Sequence, residues 1–522
     1  MSQEDFIMNW DDLLSPKRAR KSSSKNKLDG RNPFEKDYHR IILSASFRRL
    51  QDKTQVFPLD KSDFVRTRLT HSIEVSSLAK SLGAQTAKLL MASEYENVPS
   101  KRQAEEIADL LLCAGLLHDM GNPPFGHYGE TTIKDYYKTH LSTLEFKGKP
   151  IKYYLSQQEE QDLIHFEGNA QVIRLVTKLH YLIDEHGMNL TYSLLNVLMK
   201  YPVNSLMVDP SSADVRYQKL GYFTAEKDLF NEITKETGTR KPLRADAYYS
   251  SEAYKQEYKK MPQRSSYKQL SIQSNFADYE VVRHPLTFLL EAADDISYRT
   301  ADIEDASRKS FITYMELRAY LEDNQRLEKA DQETKKAYQK VLKKLDECRQ
   351  DAHEKHQEKA DLYAIQNWIV YIQGFLINLV SQEFLENYES IMRGTYNRSL
   401  VNEDTLAGLI LDVLGDIAYD YVFSSQTIVE LEVSADAVLK GLLAKFVPAA
   451  INYDTDIEQK PVNQRLISLI SDNYRDCYHR ESQGKSEADK LYYRLLLVND
   501  YICGMTDSFA KNLYYKFNGI YD

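Results

Sequence analysis

Four side chains that could carry metal or acid–base chemistry lie in one short segment, LLHDMGNPPFGHYGE, which spans residues 116–130. His118 and Asp119 are adjacent, and His127 and Glu130 follow after a Gly-Asn-Pro-Pro turn. An imidazole beside a carboxylate suits a borderline divalent metal, and a second such pair could transfer a proton. The alternative interpretation is a polar helix end without chemistry.

Two predicted helices would position these residues. Apolar residues recur at helical spacing over residues 103–119, and the Gly-Asn-Pro-Pro turn then ends the pattern just after His118 and Asp119. Residues 65–92 have the same periodicity and carry His71. A single histidine on a helix is more often a half-buried structural residue than a ligand. The neighbouring His-Asp pair makes a shared metal site the better hypothesis for His71.

A further ligand is expected from the segment LLEAADDISYRTADIEDA, which spans residues 289–306. Asp294 and Asp295 interrupt an otherwise apolar helical pattern there. Carboxylates are rarely buried without a compensating partner. Either a structural ion pair or a metal would provide that compensation.

The composition predicts an all-α protein. Gly (19) and Pro (14) are scarce for 522 residues, and 28% of the chain is charged, which favours helices over turn-rich β architecture. The net charge of −10 argues against non-specific nucleic-acid binding over the whole surface but allows a local basic pocket. Four distant cysteines without a CxxC pair indicate neither disulfides nor a zinc knuckle. No apolar run of about 18 residues and no signal pattern is present, so a cytoplasmic protein without membrane association is expected.

Charge and periodicity divide the chain into four predicted parts. Residues 1–32 should form a mobile basic N-terminal arm, because residues 14–32 are basic and Ser-rich. Residues 33–310 should form the catalytic domain, with an irregular segment near 202–275. Residues 311–365 should form an exposed helical arm, because residues 322–362 are rich in charges of alternating sign. Residues 366–522 should form a C-terminal helical subdomain packed on the core.

Longer blocks of sequence carry a resemblance to a known family. The spacing of one His, an adjacent His-Asp and a distant Asp matches the HD phosphohydrolase signature. The segments RRLQDKTQVFPL, VRTRLTHSIEV, LHDMGNPPFGHYGE, HFEGNAQ, EAADDISY with ADIEDA, and DYICGMTD resemble the bacterial deoxyguanosine triphosphate triphosphohydrolases of the HD superfamily. The resemblance runs in order from about Phe34 to Asp507. It implies an HD-domain helical core with an additional C-terminal helical subdomain.

The resemblance also implies an activity and a metal. Such enzymes hydrolyse dGTP, and some hydrolyse other dNTPs, at the α-phosphorus to give the deoxynucleoside and tripolyphosphate. The implied ligands of one divalent ion (Mn²⁺, Mg²⁺, Co²⁺ or Fe²⁺) are His71, His118, Asp119 and Asp294. The implied general acid is His127, oriented by Glu130, which would protonate the departing O5′.

Substrate contacts follow from the resemblance one position at a time. Gln55 and Asp302 match contacts to the sugar 3′-hydroxyl, and Tyr298 would pack against C2′ and exclude a ribose hydroxyl. The matching phosphate contacts are Lys200, Tyr201 and Lys219, although their surroundings differ from the family pattern. Four arginines near the first ligand helix could serve phosphate, regulation or structure: Arg48, Arg49, Arg66 and Arg68.

Two alternatives stay open. Another HD enzyme, a phosphodiesterase or nucleotidase, would share the metal ligands but not the sugar contacts. A non-enzymatic nucleotide or single-stranded DNA sensor would be expected to lack a ligand, and none is missing. By analogy with the family, the partners would be the dNTP substrate, a dimer-based homo-oligomer up to a hexamer, and a nucleotide or single-stranded DNA effector.

Overall fold

The computed structural model describes residues 6–20, 29–55, 66–180, 184–242 and 279–521. Helices dominate this part of the chain, so the predicted all-α class is confirmed. The α-helices are α1 Trp10–Leu13, α2 Pro33–Ile42, α3 Ala45–Arg49, α4 Arg68–Ala92, α5 Lys101–Leu117, α6 Gly126–His140, α7 Gln157–Ile164, α8 Gly168–Arg174, α9 Tyr192–Leu198, α10 Lys227–Glu236, α11 Pro285–Arg308, α12 Tyr314–Glu322, α13 Gln325–Lys329, α14 Gln332–Glu354, α15 Ala360–Glu386, α16 Tyr388–Met392, α17 Leu406–Ala418, α18 Gln426–Ile451, α19 Pro461–Ser468, α20 Asp472–Ser482, α21 Glu487–Cys503 and α22 Asp507–Phe517.

The remaining elements are short. Among the described residues, the strands form two antiparallel pairs, β1 Glu145–Phe146 with β2 Lys149–Pro150, and β3 Arg240–Pro242 with β4 Tyr279–Val281. Two π-helical turns cover residues 175–179 and 419–423. Short 3-10 turns lie at residues 50–52, 151–154, 205–207, 215–217 and 224–226.

Helices α4, α5 and α11 form the centre of the fold. Capping boxes at Thr67 and Ser100 start α4 and α5, because each side chain accepts the N–H of the third helical residue. The two helices approach closely, since a Cβ atom on Gly115 would lie only 2.5 Å from the Cα of Ser76. Glycine at this position therefore lets the end of α5 reach the early turns of α4.

The charged segment 311–365 does not form the exposed arm predicted for it. Helix α14 packs along α15, which itself packs on α4 and α11. Tyr338, Val341 and Leu345 lie on its inner face and are buried. Their spacing of three and four residues is an amphipathic stripe within a highly charged helix. The high charge of the segment reflects its solvent face alone.

The N-terminal segment also differs from the predicted mobile arm over its described part. Met8, Trp10 and Leu13 are buried in the core. The indole Nε1 of Trp10 donates to the hydroxyl of Tyr388 at 2.9 Å, and Met8 N donates to the carbonyl of Met392 at 2.8 Å. The free energy gained by burying these apolar side chains holds the segment on the core, although the residues that follow are basic. Residues 1–5 and 21–28 of the predicted arm lie outside the described residues.

The segment predicted to be irregular, near 202–275, is described only to residue 242. It contains three 3-10 turns, α10 and β3, and residues 243–278 lie outside the described residues. Within the part of the chain that the structure covers, none of the helices combines the length and apolar character that crossing a membrane requires. The four-part division of the chain stays a prediction.

Candidate active site

Three helices bring the predicted metal ligands together. His71 lies in the first turn of α4, His118 is the C-cap of α5, and Asp294 lies in the middle of α11. One carboxylate oxygen of Asp294 is 3.4 Å from Nε2 of His71 and 3.3 Å from Nε2 of His118. Ligand atoms of His71, His118 and Asp119 all lie within 4.8 Å of one another. The two imidazole rings meet edge to face with centroids 5.3 Å apart.

The protonation pattern of these histidines fits a cation. Nδ1 of His118 is 2.7 Å from the carbonyl oxygen of Gly115, so it carries the proton and Nε2 keeps its lone pair. Nδ1 of His71 lies 3.5 Å from the hydroxyl of Ser297. Among the described residues, neither Nε2 has a hydrogen-bond partner although both atoms are buried. Unpaired buried acceptors are costly, and a divalent ion would satisfy both.

Asp119 is held by two side chains from neighbouring segments. The buried guanidinium of Arg68 donates to one carboxylate oxygen, and the amide of Asn122 donates to the other at 2.8 Å. Burial alone would raise the pKa of Asp119, but Arg68 and His118 hold it below its usual value. Asp119 is therefore an anionic ligand candidate with a fixed orientation.

Asp294 has a cationic partner of its own. Nζ of Lys200 lies 3.0 Å from the carboxylate oxygen that does not face the histidines. Lys200 and His118 lower the pKa of Asp294 against the opposing effect of burial. Burial alone would lower the pKa of His118, and the Asp294 and Asp119 carboxylates raise it. The neighbouring Asp295 differs, because burial and the Asp294 charge raise its pKa to about 7. Only the first carboxylate of the pair lies against the histidines.

The predicted proton-transfer pair is formed at the start of α6. Nδ1 of His127 is 3.1 Å from one carboxylate oxygen of Glu130, and Gly168 N donates to the other at 2.7 Å. Glu130 is buried, whereas 74% of the His127 side chain is exposed. Hydrogen bonding and charge from Glu130 raise the pKa of His127. Burial would raise the pKa of Glu130, but His127 lowers it to about 2. The pair is an anchored carboxylate that orients an accessible, readily protonated imidazole.

The predicted phosphate contacts are divided between the two halves of the site. Lys200 pairs with the metal-side Asp294, and Tyr201 is its half-buried neighbour. Lys219 lies on the His127 side, because its Nζ is 3.4 Å from Glu167, whose neighbour Gly168 donates to Glu130. One cation therefore lies beside the metal ligands and the other lies near the His-Glu pair.

The predicted sugar contacts lie on α11 and on the chain before α4. Tyr298 and Asp302 follow Asp294 at intervals of one helical turn, and the Tyr298 ring stacks on Phe423 with centroids 6.3 Å apart. Asp302 is buried, and burial together with the Asp305 charge raises its pKa. Within the described segments, Oδ2 of Asp302 and Oε1 of Gln55 have no hydrogen-bond partner. Each is therefore a buried acceptor whose hydrogen-bonding capacity is unused within those segments.

Some residues that support the site were not assigned a role from sequence. Arg68 holds Asp119, Asn122 supports the same carboxylate, and the Gly168 N–H anchors Glu130. Asn122 lies in the segment GNPPF and Gly168 lies in HFEGNAQ. Both segments belong to the family resemblance, so their position could have indicated a role in the site. Arg66 instead forms ion pairs with Glu74 and with acidic residues at the end of α11, which is a structural role.

Comparison with known proteins agrees with this geometry. The family model described as HD domain matches residues 68–198. A deoxyguanosinetriphosphate triphosphohydrolase-like protein of Listeria monocytogenes is 42% identical over 98% of this chain and 100% of its own length. The chain belongs to the deoxyguanosinetriphosphate triphosphohydrolase family. It is therefore an HD-domain hydrolase.

More distant members of the family align over nearly the same length. A deoxyguanosinetriphosphate triphosphohydrolase-like protein of Synechocystis is 30% identical over 98% of this chain and 100% of its own length. A deoxyguanosinetriphosphate triphosphohydrolase of Klebsiella pneumoniae is 29% identical over 92% of both chains. The C-terminal helices are thus part of what this chain shares with its relatives, as the sequence resemblance implied.

Proposed function

We propose that this protein is a metal-dependent dNTP triphosphohydrolase that acts on dGTP, with other dNTPs as further substrates. The products would be the deoxynucleoside and tripolyphosphate. The observation that carries the proposal is the pair of buried, unpaired Nε2 atoms of His71 and His118 facing Asp294, beside the anchored pair of His127 and Glu130.

The metal would be held by His71, His118, Asp119 and Asp294. Two imidazoles with two carboxylates form a mixed nitrogen and oxygen shell that suits Mn²⁺, Mg²⁺, Co²⁺ or Fe²⁺. A bound divalent ion would supply Lewis acidity toward an α-phosphate oxygen and lower the pKa of water. Arg68 and Asn122 keep the Asp119 carboxylate oriented, and the Gly115 carbonyl fixes the tautomer of His118.

His127 would supply the proton that the departing O5′ needs. An alkoxide is a poor leaving group, so a positioned general acid lowers the barrier to P–O cleavage. The exposed ring can face a bound nucleotide, while the anchored Glu130 carboxylate holds Nδ1 and leaves Nε2 for the substrate. Because Glu130 raises the pKa of His127, the ring carries its proton to higher pH than an isolated histidine would.

Lys200, Tyr201 and Lys219 would bind the triphosphate. Both lysines have carboxylate partners in the structure, Asp294 for Lys200 and Glu167 for Lys219. Phosphate oxygens form strong charge-assisted hydrogen bonds with ammonium groups, so an arriving triphosphate would compete for these lysines. The same cations would neutralise charge on the tripolyphosphate product.

Gln55, Tyr298 and Asp302 would recognise the deoxyribose. Oε1 of Gln55 can accept a hydrogen bond from the 3′-hydroxyl, and the Asp302 carboxyl can form a second one. The Tyr298 ring would lie against C2′, where a ribose hydroxyl would need the same space.

We further propose a cytoplasmic, dimer-based oligomer that responds to a nucleotide or single-stranded DNA effector. Light scattering with and without dGTP tests its assembly.

A substrate screen tests the proposed function. The protein is incubated with Mn²⁺ and each of the four dNTPs, GTP, dGMP and a cyclic dinucleotide, and the products are separated by anion-exchange chromatography. We expect tripolyphosphate from dGTP and little turnover of GTP. Release of orthophosphate from dGMP, cleavage of the cyclic dinucleotide, or pyrophosphate as the product of dGTP would contradict the proposal and indicate a nucleotidase or phosphodiesterase.

A further inference from the structure

The DYICGMTD segment ends at Asp507, which none of the roles above uses. Asp507 is the first residue of α22 and is 1% exposed. A carboxylate in the first turn of a helix is stabilised by the helix dipole and often interacts with the free N–H groups of that turn. Here Thr506 is the N-cap, accepting from Phe509 N, and both Asp507 oxygens bind other segments of the chain.

One oxygen of Asp507 holds the segment before α4. It accepts hydrogen bonds from the backbone N–H of Thr54 at 2.9 Å and from the Thr54 hydroxyl at 2.5 Å. Thr54 is the direct neighbour of Gln55 and forms a β-bridge with Thr67, the N-cap of α4. The carboxylate thus fixes the backbone from which Gln55 projects.

The other oxygen holds the turn before α6. It accepts the backbone N–H of Phe125 at 3.0 Å. Phe125 has φ +64°, a left-handed conformation that is unfavourable for a residue with a Cβ atom. Such a conformation persists where its surroundings determine it. His127 follows Phe125 by two residues. This hydrogen bond therefore helps to fix the backbone from which the His127 side chain projects.

Lys53 forms a second link between the same parts of the molecule. Its buried Nζ donates to the carbonyl of Asn122 and to that of Cys503, each at 2.6 Å. The end of α21 and the start of α22 therefore bind both the Gln55 segment and the turn that leads to His127. Misplacing a reacting group by about 1 Å can cost about 100-fold in rate.

We propose that Asp507 is a positioning residue whose buried carboxylate holds Gln55 and His127 in fixed relation, so that the 3′-hydroxyl contact and the proton donor act on the same bound nucleotide. The inference rests on the proposed function of those two residues. The C-terminal helices would thereby set the geometry of a site whose metal ligands lie in the first 300 residues of the chain.

The test compares Asp507→Asn with Asp489→Asn. Asp489 is the matched control, since it also lies in the first turn of a C-terminal helix but is exposed, and its hydrogen bonds are to the local N-cap Ser486. Substrates are dGTP and 2′,3′-dideoxy-GTP, which lacks the 3′-hydroxyl. We expect Asp507→Asn to lower kcat by about 10- to 100-fold and the preference for dGTP by about fivefold, the contribution of one hydrogen bond. Asp489→Asn should match the wild-type protein.

The substrate preference separates positioning from simple destabilisation. A loss of folded protein would lower turnover of both nucleotides by the same factor and leave the preference unchanged. Hydrogen–deuterium exchange gives a readout that does not need catalysis: the Thr54 and Phe125 amides should exchange faster in Asp507→Asn and normally in Asp489→Asn. If Asp507→Asn does not fold, Thr54→Val removes the hydroxyl hydrogen bond alone and should still lower the preference for dGTP.

The outcomes distinguish this inference from the function on which it rests. If the wild-type protein released no tripolyphosphate, the proposed function would fail directly. An active Asp507→Asn protein with wild-type preference, or with unchanged exchange at both amides, would overturn the positioning role alone. An unchanged preference in Thr54→Val, when Asp507→Asn cannot be made, would overturn it as well.

Discussion

The buried charged clusters around Arg174 and around Asp294 differ in what they leave unpaired. Around Arg174, the guanidinium forms ion pairs with Asp500, Glu226 and Glu481, and Lys178 joins the last two. Each of these five side chains therefore has an oppositely charged partner within the protein. The cluster joins α8, α20 and α21, so its role is structural.

The cluster around Asp294 also contains an ion pair, but two of its buried nitrogens converge on one carboxylate oxygen, whereas the unpaired Oε2 of Glu226 in the Arg174 cluster stands alone. Its two histidines present Nε2 atoms that find no hydrogen-bond partner in the described parts of the chain. Among the lysines and arginines of those parts, Lys200 alone pairs with Asp294, and it binds the oxygen that faces away from the histidines. Burial of polar groups is thus not what marks a functional site here. The functional site is distinguished by hydrogen-bond acceptors that converge on one point without a donor.

The largest predicted effect removes one of these acceptors. His118→Ala should abolish metal binding and lower kcat by about 1000-fold or more, because Lewis acidity is worth several kcal/mol and about 1.4 kcal/mol is tenfold. Metal content is measured after dialysis, and turnover by tripolyphosphate release. His140→Ala is the matched control, since His140 also ends a helix and places Nδ1 2.8 Å from a backbone carbonyl. Equal metal content in the two variants would contradict the assigned ligand.

A substitution in the Arg174 cluster should lower the stability of the protein and leave metal binding unchanged. Arg174→Met leaves buried carboxylates without their main partner and should lower the free energy of unfolding by about 3–5 kcal/mol, as for other broken buried ion pairs. Urea unfolding followed by circular dichroism measures this. Arg326→Met, at an exposed pair with Asp416, should cost no more than about 1 kcal/mol. A metal-binding defect in Arg174→Met at full stability would remove the distinction between the clusters.

The next effect concerns proton transfer. His127→Ala should retain the metal and lose about 100- to 10,000-fold in turnover, the usual contribution of a positioned general acid. Activity should fall as pH rises through the raised pKa of His127, since the acid form is then lost. Glu130→Gln removes the charge that raises this pKa, so the alkaline limb of kcat/KM should move to lower pH. An unmoved limb would show that another group donates the proton.

Sequence reasoning predicted the helices, and the residues that meet at the candidate site, for a physical reason. Periodicity is local, so the apolar faces of α4, α5 and α11 and the polar residues that interrupt them could be recognised along the chain. The family resemblance then assigned His127, Glu130 and the substrate contacts. The π-helical turn that places Phe423 against Tyr298 depends on contacts between helices and had no local signal.

Two errors had a common cause, since average composition concealed the apolar positions. The charged segment contained the stripe of Tyr338, Val341 and Leu345, and the predicted N-terminal arm contained Met8 and Trp10. In both places, a few apolar residues at suitable spacing determine burial while the charged majority faces solvent. The Asp507 contacts, which join positions about 380 and 450 residues apart, could not be inferred from any local pattern.

The smallest predicted effect concerns steric selection of the sugar. The comparison of the two charged clusters does not address this property. Tyr298→Ala should keep metal and dGTP turnover and lower the preference for dGTP over GTP by about 10- to 100-fold, the range that one steric contact provides. Tyr298→Phe keeps the ring and its stacking on Phe423, so it should keep the preference. The measurement is kcat/KM for both nucleotides with Mn²⁺. If Tyr298→Phe lost selectivity as fully as Tyr298→Ala, the hydroxyl and not the ring would discriminate, and the site would select its sugar by hydrogen bonding.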